Sequence, residues 1–383
     1  MNIITRTRPA LPSKLGVFVA CPLRYLLESE QHTLQCLPLH PRTILGSVVH
    51  RLVNTLKKGS RGTSTSMIGQ LENTFINAIG STQRAGPLTE WVLKRHGIAG
   101  LISRKMLLEQ IRYANSLIIP SVEREKYLPD SPEKRENRIP VGREQPLTSA
   151  LFNMSGRADL IYQIASDQLR IVDFKTGKVT DAPNQPKDHY LLQVAAYGMM
   201  VKEWAPSVHI ELELAGIFDN WTGFLDASLH ERIAQILIKL NNTLPLNVSL
   251  YPQALAQSGK HCTTCISRCS CSVYRGKLQQ HLQQHRFDPV HFGYDISGRL
   301  IDVDEDDGLI TLRVQLDNGF TVKVFRIPTQ LFPESERMVG RYLSMYGANR
   351  LGRSAEGNFP RNFYVIDTQN PSWSAFQFYL QWE

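Results

Sequence analysis

The chain has 383 residues, 42% of them hydrophobic, which is ordinary for a globular protein and enough for two or three domains with cores of their own. No apolar run approaches the ~20 residues of a membrane-spanning helix, so no membrane segment is expected. The formal charge of +8 with a pI near 9.1 favours a polyanionic partner, nucleic acid rather than membrane.

Met1 to Leu15 lacks an apolar core segment and carries scattered Arg and Pro, so no signal peptide is expected and a cytoplasmic, reducing location is. Ser13-Lys14-Leu15 leads into Cys21-Pro22-Leu23-Arg24-Tyr25. Thr43 to Lys58 predicts a helix, because Leu45, Val49, Leu52 and Leu56 form an apolar stripe at helical spacing. His50 sits beside that stripe, and Gly46, one turn earlier, leaves room for a metal or a backbone to approach. Met67 to Ile79 and Leu101 to Ile118 are amphipathic, with breaks near Gly86-Pro87 and at Pro120, so the first 130 or so residues read as helical. Lys57-Lys58, Arg104-Lys105, Arg124 with Lys126, and Lys134-Arg135 are candidates for a phosphate track.

A charged segment, Pro129 to Pro140, leads into the most informative stretch. Glu144 opens it and is a further candidate acid. Apolar residues run through Leu160-Ile161-Tyr162 and resume at Leu169, with Ser166-Asp167-Gln168 between, which predicts a β-hairpin with a loop of about three residues. That pairing sets Asp159 of Gly156-Arg157-Ala158-Asp159 across from Asp173 of Ile171-Val172-Asp173-Phe174-Lys175. Side chains alternate along a strand, so Asp173 and Lys175 share a face while Phe174 points into the opposite layer. Two adjoining carboxylates repel unless a cation lies between them. Mg²⁺ or Mn²⁺ suits such hard oxygen ligands together with a substrate phosphate, and the neighbouring Lys175 is placed to stabilise charge in a phosphodiester hydrolysis. His50 is the candidate third ligand.

Asp188 to Trp204 predicts a helix on which Gln193 and Tyr197, four residues apart, share a face and can point together at the hairpin. His209 to Phe218 alternates as a further strand, and Ser228-Leu229-His230-Glu231 predicts a capping box opening a helix through Leu240.

Of six cysteines, four crowd into Cys262, Cys265, Cys269 and Cys271; the others are Cys21 and Cys36. In a reducing compartment metal binding outranks disulfides. Two readings are open: a zinc knuckle from the four clustered cysteines, or a [4Fe–4S] cluster on Cys262, Cys265 and Cys271 with distant Cys21. Cys36 reads as an ordinary thiol.

From about Val290 the chain turns into short alternating strands, with Leu309 to Leu316 and Phe320 to Ile327 joined at Asp317-Asn318-Gly319. The acidic run Asp302 to Asp307 makes one edge of this small β-rich part unsuited to DNA and open to a protein partner. Thr176-Gly177-Lys178-Val179 lacks the upstream Gly and the following Ser or Thr of a Walker A loop, so any helicase is expected on a separate chain.

The order His50, Gly156-x-x-Asp159, Asp173-x-Lys175, Gln193-x-x-x-Tyr197 resembles the RecB-type branch of the PD-(D/E)xK nuclease superfamily. The resemblance implies an α/β restriction-endonuclease-like core, a central mixed sheet flanked by helices. It implies that His50, Asp159 and Asp173 bind Mg²⁺ or Mn²⁺, that Lys175 is catalytic, and that Gln193 and Tyr197 form an auxiliary motif. The split cysteines, one in Cys21-Pro22 and three after the core, are similar to the iron-sulfur subgroup that includes CRISPR-associated exonucleases and AddB-type subunits, which implies the [4Fe–4S] cluster over zinc. The expected organisation is a nuclease domain over 1–285 (helical to about 130, catalytic core about 140–245, cysteine cluster 261–272) and a β-rich, barrel-like domain over 286–383 for DNA or partner docking. The expected function is a metal-dependent DNase, an exonuclease on single-stranded DNA or free ends in repair, recombination or defence, working with a separate helicase or CRISPR protein. The alternative is a DNA-binding or assembly subunit that keeps the nuclease fold for shape.

Overall fold

The computed structural model describes residues 4–30, 35–55, 64–82, 84–118, 141–244, 249–250, 252–284, 288–351 and 360–382. The charged segment 129–140, Lys57-Lys58, Arg124, Lys126, Lys134 and Arg135 lie outside the described residues. Among the described residues no helix is long and apolar enough to cross a membrane. The chain forms a mixed α/β fold in two compact units, one of Met1–Glu30, Gly46–Leu71 and Leu108–Leu255, the other of Gln31–Leu45, Glu72–Leu107 and Ala256–Glu383.

The first unit is built on a five-stranded sheet of β2 (Gly142–Ser149), β3 (Met154–Ala165), β4 (Gln168–Lys175), β7 (His209–Gly216) and β8 (Asn220–Phe224), hydrogen-bonded in that order; two-residue β1 (Ile4–Thr5) pairs with β9 (Ser249–Leu250), and β5 (Thr180–Ala182) with β6 (Gln185–Pro186). Only β4 and β7 run parallel, so the sheet is mixed. Parallel neighbours need a crossover, and the helix Asp188–Trp204 supplies it. The helix is buried nearly all round its middle, from Leu192 through Val201, as expected of an element enclosed within a core. A Cβ on its Gly198 would lie 3.1–3.3 Å from Leu225, Ile210 and Leu212, so the bare glycine sets how closely the helix approaches the sheet.

Helices α1 (Leu15–Ala20), α2 (Pro22–Ser29), α3 (Pro41–Thr55), α4 (Ser64–Ser81), α5 (Pro87–His96) and α6 (Arg104–Ile118) confirm the helical N-terminal region, and the crossover Asp188–Trp204 becomes α7. The next helix, α8 (Ala227–Thr243), departs from expectation at its start: Asp226 is the cap, its carboxylate accepting the Leu229 N–H at 2.7 Å, and the Ser228-to-Glu231 capping box does not form. Aspartate takes the role because it stands one residue ahead of the first helical position, where the orphan amides point. The β3–β4 turn is also tighter than expected. Ala165 pairs with Gln168 across Ser166-Asp167, and a bulge between Gln163 and Ala165 absorbs the difference in register.

The second unit carries a seven-stranded sheet that curls into a half-barrel: β14 (Asn349–Arg350), β15 (Asn362–Tyr364), β12 (Thr321–Pro328), β11 (Leu309–Leu316), β10 (Ile296–Asp306), β13 (Tyr342–Tyr346) and β16 (Tyr379–Trp382). The hairpin at Asp317-Asn318-Gly319 is as expected, with Gly319 at φ 81°. A second hairpin turns at Asp307-Gly308, both at positive φ, inside the acidic run.

Candidate active site

Every expected residue of the catalytic set lies in the first unit. The β3–β4 ladder closes at Leu160 opposite Val172, so Asp159 and Asp173 come next, facing one another across the two strands. They do not continue the ladder. Asp159 instead turns its Oδ2 to accept the Phe174 N–H at 2.7 Å, and its Oδ1 stands 3.8 Å from His50 Nδ1 on α3. Asp173, only 2% exposed, accepts Gln193 Nε2 at 2.9 Å on one oxygen and faces Lys175 Nζ at 2.7 Å with the other. Lys175 Nζ donates to Gln193 Oε1 at 2.9 Å, which closes an Asp173–Gln193–Lys175 ring.

The glycines of the motif make room for this assembly. A Cβ on Gly156 would come 2.9 Å from the Tyr197 ring, so the glycine admits that aromatic against β3. A Cβ on Gly46 would meet Thr176 Oγ1 at 2.9 Å; the expected approach is therefore made by the chain just past Lys175. Gln110 on α6 supports the same segment, donating to the Thr176 carbonyl at 3.2 Å, and the Tyr113 hydroxyl donates to the Ala215 carbonyl on β7.

Burial first, and then the charge of Asp173, push the Asp159 carboxyl up to about 8, against the opposing pull of the Phe174 N–H and Lys175. Burial, followed by Lys175, holds the His50 imidazole below its ordinary value and hence neutral, the form that ligates a metal. Burial and then Asp173 raise the Tyr197 phenol, which stays a neutral hydroxyl. Among the described residues no three His, Cys, Asp or Glu side chains are already gathered as a metal cage. The carboxylates nonetheless fit a divalent cation, because Asp159, displaced first by burial and then by the charge of Asp173, is a carboxyl whose ionised form lacks a counter-ion of its own. Asp159 and Asp173 would supply hard oxygen ligands and His50 a neutral nitrogen.

Two further side chains stand beside this set, Tyr190, which the sequence does not single out, and the candidate acid Glu144. Tyr190 on α7 lies with its ring centroid 4.7 Å from Lys175 Nζ and 5.7 Å from Lys187 Nζ. Its signal was present, since it precedes Gln193 by three residues and so shares its face. Glu144, at φ 50°, adds negative charge that acts on both Asp159 and His50, and its carboxylate is 3.6 Å from Arg157.

The cysteines divide between the units. In the first, Cys21 caps α2, its sulfur accepting the Arg24 N–H at 3.4 Å. In the second, Cys262 accepts the Gly259 N–H and Cys271 the Tyr274 N–H, both at 3.5 Å, while Cys265 is buried nearby in sequence. Cys36, expected to be an ordinary thiol, lies beside Cys269, their Cα atoms 6.4 Å apart.

A sequence profile of the PD-(D/E)XK nuclease superfamily matches residues 12–272. No functionally curated protein matches the chain. Among solved structures, a protein designated SSO0001 shares 14% identity over 61% of this chain and 96% of its own, with a TM-score of 0.22. A protein from Eubacterium rectale that is named as an exonuclease shares 14% identity over 51% of this chain and 73% of its own, with a TM-score of 0.23. Likeness at this level says nothing of activity.

Proposed function

The chain belongs to the PD-(D/E)XK nuclease superfamily, and on that footing we propose that it is a Mg²⁺- or Mn²⁺-dependent deoxyribonuclease, an exonuclease on single-stranded DNA or free DNA ends. The observation that carries the reading is the closed Asp173–Gln193–Lys175 ring beside the displaced carboxyl of Asp159. Asp159, Asp173 and His50 would hold the cation, which when bound supplies Lewis-acid stabilisation of phosphate charge. Lys175, its ammonium held by Asp173 and Gln193, offers its remaining proton to oxygens that gain charge as water adds to phosphorus and the ester oxygen leaves. Gln193 fixes both the acid and the base of that pair, and Tyr197 keeps a neutral hydroxyl for a phosphate oxygen. Tyr190 is a positioning residue, since its ring holds the Lys175 ammonium by a cation–π contact worth about 0.5–2 kcal/mol.

Cleavage of end-labelled single strands with Mg²⁺ or Mn²⁺ tests this. Wild type should degrade the strand and stop in EDTA, and Lys175→Ala should be slower by about 10²–10³-fold, as for loss of one preorganised donor. Tyr190→Ala should lose about tenfold and Tyr190→Phe should recover it. Equal rates in wild type and Lys175→Ala would leave only a binding role for the fold.

For the cysteines we propose the iron-sulfur cluster over zinc, on the Cys262-x2-Cys265-x5-Cys271 spacing and the Cys21-Pro22 context. Anaerobically purified protein should be brown and bleach with dithionite; a colourless protein with stoichiometric zinc would reverse the assignment.

A further inference from the structure

Beside the catalytic strand, the same sheet carries aromatic side chains that the chemistry above does not use. Asp173 on β4 is level with Leu214 on β7, and Leu214 with Trp221 on β8, so the three form one row on one face of the sheet. Two strand spacings of ~4.8 Å place the Trp221 backbone about 10 Å from that of Asp173. The indole lies along its own strand over Gly223, where a Cβ would come 2.5 Å from Cζ2. Strand β8 is the sheet's edge, and the turn entering it presents Phe218, 64% exposed. Lys175 is level with Gly216, two residues before that phenylalanine.

The turn is fastened to the chain that follows Lys175. Gly216 N–H donates to the Asp219 carbonyl at 3.0 Å and to Asn220 Oδ1 at 3.2 Å. The Asp219 carboxylate accepts the Val179 N–H at 2.7 Å, the Thr180 N–H at 3.0 Å and the Thr180 hydroxyl. A Cβ on Gly216 would lie 2.7 Å from the Gly177 carbonyl, so the two segments touch backbone to backbone. Phe218 is thus held in water although its burial would be worth about 2 kcal/mol. Lys178 is exposed on the adjoining loop, its carbonyl accepting Lys187 Nζ at 2.7 Å. An exposed ring on this turn and an exposed cation on the loop bonded to it suit the base and the phosphate of an unpaired polynucleotide.

We propose that Phe218 and Trp221 form a stacking platform for an unpaired base next to the scissile phosphate, which selects single strands and frayed ends because a duplex keeps its base faces covered. The position of that phosphate rests on the nuclease reading; the platform itself is tested without catalysis. Fluorescence anisotropy in EDTA compares a labelled 12-nucleotide thymidine strand with an equally long strand of abasic spacers. Wild type should prefer the base-bearing strand by roughly tenfold or more, since each stacked base contributes about 1–3 kcal/mol. Phe218→Ala with Trp221→Ala should bring the ratio near one, and Phe218→Trp with Trp221→Phe should keep it. Phe218→Ala alone, a change at an exposed turn, carries the test if the double variant misfolds, and should cut the ratio severalfold. Equal binding of both strands by wild type, or an unchanged ratio in the alanine variants, overturns the platform. A protein that shows the preference yet cuts nothing with Mn²⁺ keeps the platform and loses the nuclease reading.

Discussion

Asp173→Asn is expected to slow phosphodiester cleavage by about three orders of magnitude or more, a loss of ~4 kcal/mol in transition-state stabilisation. The substitution keeps the side chain's shape, so the effect is one of charge. Asp173 is the counter-ion of Lys175 at 2.7 Å and the acceptor for Gln193 at 2.9 Å, and on the proposed reading it would also be an oxygen ligand for the cation. The amide supplies neither the charge nor the second acceptor. Because a cation between Asp159 and Asp173 relieves their repulsion, Mn²⁺ should raise the melting temperature of wild type and leave that of Asp173→Asn nearly unchanged. Calorimetry with and without Mn²⁺, beside the cleavage assay, separates the two effects. A variant within tenfold of wild-type rate would remove Asp173 from the chemistry, and an equal Mn²⁺ shift in both proteins would place the cation elsewhere.

The β3–β4 hairpin and the helix Asp188–Trp204 were legible because both depend on short-range periodicity. Alternation puts Asp173 and Lys175 on one face, the i,i+4 rule puts Gln193 and Tyr197 on another, and Asp188–Trp204 matches the expected helix at both ends. What escaped depends on how elements meet. Tyr190 reaches Lys175 only because α7 crosses over the end of β4, and Asp159 leaves its cross-strand partner for the Phe174 amide because the ladder opens there. The approach of Cys36 to Cys269 spans 233 residues and has no local signal. The same holds for the way 31–45 and 72–107 join 256–383: Leu37 N–H donates to the Ile266 carbonyl at 2.9 Å and Leu39 N–H to the Arg84 carbonyl at 2.7 Å, contacts that no periodicity announces. Turn chemistry sits between these cases. Asp307-Gly308 makes a hairpin turn although its aspartate also ends an acidic run, and Asp226 meets the helix amides although Ser228, two residues later, offers the commoner capping pattern.

Asp295→Ala should destabilise the second unit by about 3–5 kcal/mol, the usual cost of stripping one partner from a buried ion pair. Asp295 is 4% exposed and fully engaged: Arg268 Nε at 2.6 Å and Nη2 at 3.1 Å, the Tyr274 hydroxyl at 2.7 Å and the Gly347 N–H at 2.8 Å. Through these bonds one carboxylate ties the loop bearing Cys265 and Cys269, the helix Ser272–Gln283 and the turn after β13. Removing it leaves the Arg268 guanidinium charged, buried and without its counter-ion, which costs far more than the lost hydrogen bonds. Taking away both charges should therefore hurt less than taking away one. Asp295→Leu with Arg268→Met is expected to recover part of the loss, and urea unfolding of the two single variants and the double measures the coupling. The cysteine loop shares this anchor, since Arg268 Nη1 also donates to the Cys265 carbonyl at 3.1 Å. Loss of the proposed cluster's absorption from Asp295→Ala at temperatures where the unit is still folded would show that the ion pair sets the geometry of the cysteine loop as well as its stability. A cost below about 1 kcal/mol for Asp295→Ala would mean that water reaches Arg268 and that the pair is not buried in solution.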